Sequence, residues 1–195
     1  MPYAKLSRTI SIPARFVLEA KISDRKTSAV RESSQCPLYD IRDMKTLRNP
    51  KDKEGIIARL QSIRPTSLRR WGKMSVHQMV CHLGDGFRMY LGLKPVSPAR
   101  LPYPRSLLKW VALWAPIPWP KGFKTVPELD QRVSGTPPVE FDNDVRELRS
   151  LVDRFTQQPK DFQWQPHPQF GQMSEKEWMR LGYLHTDHHL PQFGA

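Results

Sequence analysis

Four stretches of the chain carry apolar residues at helical spacing, and each lies between its own start and stop signals. This pattern most limits the fold. Asn49-Pro50 supplies an N-cap followed by proline at the first helical position; Ile56, Ile57, Leu60 and Ile63 follow, and Pro65 stops the run. Ser75 opens the second stretch, with Gln78 three residues on as a capping box. Met79, Val80, Leu83, Phe87 and Leu91 form its apolar side, and Gly92 ends it. The third begins near Asp142 or Asn143, runs through Val145, Leu148, Leu151, Val152 and Phe155, and ends by Pro159. The fourth starts at Ser174 with Glu177 as a second capping box, buries Trp178, Leu181, Leu184 and Leu190, and closes at Pro191 and Gly194. No segment alternates as a strand does. The expectation is an all-α four-helix bundle with one long crossover.

That crossover, residues 92–141, holds 10 of the 19 prolines. Within it, Leu107 to Trp114 and then Pro116 to Pro120 form a tryptophan-rich apolar stretch too short to span a bilayer. It reads as a short helix packed over one end of the domain, with a membrane-surface anchor or a dimer surface as the alternatives.

The chain has 195 residues and a formal charge of +12, of which residues 1–43 carry +3. That charge permits contact with nucleic acid, anionic lipid or an acidic substrate. The basic residues are scattered and no reading motif accompanies them, which disfavours nucleic acid. Residues 1–43 lack a secretory h-region, and their five acids argue against a transit peptide. They read as a disordered extension ahead of a natural start at Met44, which leaves residues 44–195 as the domain. Two cysteines, Cys36 and Cys81, exclude a disulfide scaffold and suit the reducing cytoplasm.

The histidines carry the chemical signal. The second and fourth helices share a lead: Trp71-Gly72-Lys73-Met74-Ser75 and Phe170-Gly171-Gln172-Met173-Ser174. Counted from each capping serine, His82 lies 7 residues in, His185 11 and His189 15. These are about two, three and four turns, so all three face one side relative to the cap. His185 and His189 are an i, i+4 pair able to converge on one ion, and His82 from a neighbouring helix completes a three-histidine face. Imidazoles suit zinc, nickel or iron, and three protein ligands leave a position for water or substrate. The competing reading is a set of hydrogen-bonded core histidines.

Other residues have weaker cases. Asp85 reads as an acceptor orienting an imidazole or as a surface carboxylate, and Gln192 as facing a metal-bound water. His188 reads as a residue supporting the paired histidines or as a packing residue, His77 as solvated, His167 as fixing its loop and Cys81 as a small buried hydrophobe. Trp71 and Phe170 read as packing where their helices begin. Pro191, just after His189, ends or kinks the helix and shortens the support behind that ring.

The stretches Trp71 to Leu83, His167 to Trp178 and Tyr183 to Gly194 resemble the DinB-like (YfiT-like) superfamily, and more closely an uncharacterised bacterial branch of it. The resemblance runs from about residue 44 to the end. It implies a four-helix bundle with a divalent metal ion on His82, His185 and His189. It also implies an activity of the kind some members have: thiol-dependent transfer or isomerisation with a low-molecular-weight thiol cosubstrate. The ion would lower the pKa of a thiol or water for attack on a small electrophile, and the basic domain would favour an anionic partner. The alternative is a metal-stabilised binding or stress-response module without catalysis.

Overall fold

In the computed structural model, residues 44–99, 102–123 and 125–195 are described. The extension expected at 1–43 lies outside the described residues. Five α-helices form, and no strand is present among the described residues: α1 Pro50–Ser62, α2 Val76–Tyr90, α3 Arg105–Trp114, α4 Phe141–Thr156 and α5 Glu175–His189. All-α is therefore the observed class, with one helix more than the four main ones, inside the crossover.

The local signals act as read. The Asn49 side chain accepts the Lys51 N–H at 2.9 Å. Both capping boxes close, with Ser75 and Gln78 exchanging bonds of 2.8 and 3.1 Å and Ser174 and Glu177 bonds of 2.7 and 3.4 Å. The cap of α4 is a correction. Glu140, not Asp142 or Asn143, accepts the free N–H groups of Asp142 and Asn143. A longer carboxylate reaches over the first turn just as a short one does.

α2 packs against both α4 and α5, and α1 against α4 and α5. Leu60, Met79, Leu83, Phe87, Val152 and Phe155 meet in the shared core, each at most 1 % exposed. Burying a side chain of this size contributes about 1.5–3 kcal/mol, so the apolar stripes hold the helices together. The ion pair Arg59–Asp187 at 2.5 Å adds a link between α1 and α5.

The crossover packs as a cover on α5. Leu113 is buried and its carbonyl accepts from Arg180 Nε at 3.2 Å. Trp119 Nε1 donates to the Ala112 carbonyl at 2.8 Å, folding the chain back over α3. Leu107 and Trp110 on the outer side stay exposed. No described helix is long and apolar enough to cross a membrane.

Candidate metal centre

His82 sits on the inner face of α2, and His185 and His189 in the last two turns of α5. One ring nitrogen of each lies within 4.8 Å of those of the other two, and His82 Nε2 stands 3.0 Å from His185 Nε2. Ligands about 2.0–2.1 Å from a tetrahedral zinc are roughly 3.3 Å from one another, so the three rings need only small adjustments to share an ion.

What lies behind each ring is more telling than the spacing. His82 Nδ1–H donates to the Leu129 carbonyl at 2.8 Å. His189 Nδ1–H donates to Gln192 Oε1 at 3.1 Å, and that amide is fixed because its Nε2 donates to the Trp71 carbonyl at 2.9 Å. The Tyr90 hydroxyl meets His185 Nδ1 at 2.9 Å. An imidazole that gives its Nδ1 hydrogen to a fixed acceptor keeps the lone pair on Nε2, the form a metal requires. His82 and His189 are held in that form. His185 adopts it when Tyr90 accepts rather than donates. The donor set therefore fits a divalent ion.

Burial keeps the rings neutral. His189 is pushed down to about 3 by burial and then by His82. Burial followed by the neighbouring histidines takes His185 well below its usual value. Burial also lowers His82, against a partly opposing effect of the Leu129 carbonyl.

The backbone makes room for this arrangement. Gly72 has φ +78°, and a Cβ there would lie 2.5 Å from Gln192 Nε2. At Gly86 a Cβ would come within 3.2 Å of the His185 ring. Pro191 does end α5, but a 3₁₀ turn, Leu190–Phe193, follows at once. That turn brings Gln192 back to His189, so the proline adds support where loss was expected.

Several sequence expectations need correction. Asp85 is neither beside an imidazole nor on the surface. It is fully buried and accepts from Arg88 at 3.0 Å, Gln131 at 3.0 Å, the Thr136 N–H at 2.7 Å and the Thr136 hydroxyl at 2.6 Å, with Lys94 at 2.9 Å. It anchors residues 131–136, just beyond Leu129, whose carbonyl orients His82. Gln192 stands behind His189 instead of facing the open side. His77 is not merely solvated: its Nε2 meets Asp144 at 2.6 Å. Trp71 does more than pack at the start of its helix, since its ring lies 6.4 Å from His189 and 5.0 Å from His188. Cys81 is buried as expected, but its thiol contacts Asp144 at 3.6 Å. Burial and then Asp144 push that thiol up to about 12, so with no metal ion beside it the thiol keeps its proton near neutral pH. His167 does fix its loop: Nδ1 accepts from the Gln169 and Phe170 amides, and the ring stacks on Phe170.

Sequence reasoning missed Tyr90, Leu129, Trp119 and Lys121. Tyr90 looks like one more core aromatic, and Leu129 acts through its backbone, which leaves no side-chain signal. Trp119 lies about 6 Å from both His185 and His188, and Lys121 Nζ lies 5.6 Å from the Trp71 ring centre.

No curated protein and no solved structure proved similar to the chain. A family model described as "Protein of unknown function (DUF1569)" matches residues 43–195, and the chain belongs to that family.

Proposed function

We propose that the protein is a DinB-like (YfiT-like) four-helix bundle, formed by α1, α2, α4 and α5, that works as a metal-dependent enzyme of the thiol S-transferase kind. The observation that carries this reading is that all three imidazoles have a protein group at Nδ1 while one ring nitrogen of each lies within 4.8 Å of those of the other two. A divalent ion, zinc, nickel or iron, supplies the acidification that turns a thiol or water into a nucleophile near neutral pH. His82, His185 and His189 hold it, and Leu129, Tyr90 and Gln192 keep their rings aimed. Trp119 and Trp71 flank the histidines and limit water there. Lys121, beside Trp71, attracts the carboxylate or phosphate of a small anionic thiol or of the electrophile.

Metal analysis of purified protein beside His185→Ala, with turnover measured on a panel of electrophiles and low-molecular-weight thiols, tests this. The wild type should carry a divalent ion on the three histidines and show thiol-dependent turnover, and His185→Ala should lose that equivalent and the turnover. Equal metal content in the two proteins overturns the metal site. A chelator-sensitive fold with no turnover on any pair overturns the enzyme and leaves a metal-stabilised binding module.

A further inference from the structure

Outside the three-histidine site, α2 and α4 bring together a second mixed group of ligating side chains. His77 and Cys81 are an i, i+4 pair on α2. Asp144 comes from the first turn of α4. One nitrogen, one sulfur and one oxygen, one from each residue, all lie within 4.8 Å of one another. The shared corner is Asp144 Oδ2. It stands 2.6 Å from His77 Nε2 and 3.6 Å from Cys81 Sγ, and it also accepts the Val139 N–H at 3.3 Å.

We propose that His77, Cys81 and Asp144 form a second divalent-metal site, selective for zinc, that ties α2 to α4. The chemistry of the donors favours that ion. Thiolate, imidazole and carboxylate are zinc's three protein ligand types, and two anionic donors neutralise its charge. Among the described residues the ion-pair partner of Asp144 is a histidine and not a lysine or arginine. An ion would therefore bridge two residues that are themselves zinc ligand types, unlike at Asp85, where Arg88 and Lys94 already saturate the carboxylate. Cys81 is buried, while the His77 and Asp144 side chains are about one-fifth exposed. Solvent can thus reach the group from one side, which provides an approach for the ion and a water as its fourth ligand. The site is separate from the first. Cys81 and His82 are consecutive on a helix and point about 100° apart, and the donors of the two groups do not overlap.

Cobalt titration of the full chain tests the assignment, because only this site contains sulfur. The wild type should take up a second equivalent that brings a near-ultraviolet thiolate-to-cobalt band. Cys36→Ser should keep the band and Cys81→Ser should lose it. His77→Gln, at a partly exposed position that leaves the core intact, should weaken that equivalent at least 10-fold while leaving the other unchanged. His185→Ala should abolish the sulfur-free equivalent and keep the band, so failure of the first site cannot be mistaken for failure of this one. A band that survives Cys81→Ser, an unaltered second equivalent in His77→Gln, or no thiolate band in the wild type overturns the proposal.

Discussion

Replacing Asp85 by asparagine removes one charge and almost no volume, so its consequences follow from the bonds it breaks. The carboxylate is 0 % exposed and takes five donors, from Arg88, Lys94, Gln131 and the amide and hydroxyl of Thr136. An asparagine keeps one acceptor oxygen. Its NH₂ group replaces Oδ1 or Oδ2 and faces donors in either orientation. Lys94 then loses its counter-charge beside a buried amide, and Arg88 keeps only Glu147. Removing one partner of a buried pair costs about 3–5 kcal/mol. At about 2–4 °C per kcal/mol for a chain of this size, Tm should fall by roughly 6–20 °C. The loss should also reach the metal. Residues 131–136 would no longer be pinned, the Leu129 carbonyl would wander, and His82 would lose its orientation. Loss of such an orienting partner typically weakens metal affinity 10–100-fold. The pH dependence has a definite sign. Burial raises the Asp85 pKa, but the Thr136 bonds and Lys94 outweigh it, so the folded value lies below the ordinary 3.8. The stabilisation is therefore complete above about pH 4 and is lost as pH falls through the folded value. Thermal unfolding across that range, with metal affinity by chelator competition, provides the assay. A Tm within 2 °C of wild type at pH 7, together with unchanged affinity, would refute the reasoning.

Three further outcomes follow from single contacts. Gly72→Ala forces a Cβ to within 2.5 Å of Gln192 Nε2 at a left-handed backbone position. It should displace Gln192 and lower metal affinity about 10-fold by the loss of support behind His189, as read by the same competition assay. Tyr90→Phe leaves His185 Nδ1 without its partner. It should cost about 1–3 kcal/mol in urea unfolding and weaken metal binding, whereas Phe at a position free of any site role would leave affinity unchanged. Burial takes His167 down to about 3. The unfolded chain therefore binds that proton first, and stability should fall by about 1.4 kcal/mol per pH unit between roughly 6.5 and 3 on account of this ring. The slope should shrink by that amount in His167→Asn, and urea titrations at several pH values measure it.

Much of the architecture could be read from local signals because those signals act locally. Asn49, Ser75 and Ser174 cap helices through bonds spanning two or three residues, and apolar spacing decides which face turns inward. The cap of α4 is not legible in the same way, because Glu140, Asp142 and Asn143 are all able to cap a helix start and sequence does not show at which of them the helix begins. At the site, the spacing of His82, His185 and His189 from their caps is legible, and the packing of α2 against α5 makes them converge. Their supports were not. Leu129 is 47 residues from His82, and Tyr90 is 95 from His185. Such partners meet only through the packing of the crossover and of α2 against α5. Asp85 shows the same limit, since its partners Gln131 and Thr136 lie in a proline-bounded loop without periodicity.

The central claim is that His82, His185 and His189 present three bare Nε2 atoms to one divalent ion. Anomalous X-ray scattering from crystals grown with zinc, nickel or iron, collected on both sides of each metal's absorption edge, tests it directly. The account predicts one strong peak at bonding distance from all three Nε2 atoms, with the Nδ1 contacts to Leu129, Tyr90 and Gln192 intact. Finding the rings bonded to one another at that place, with no anomalous peak for any of the three metals, would contradict it.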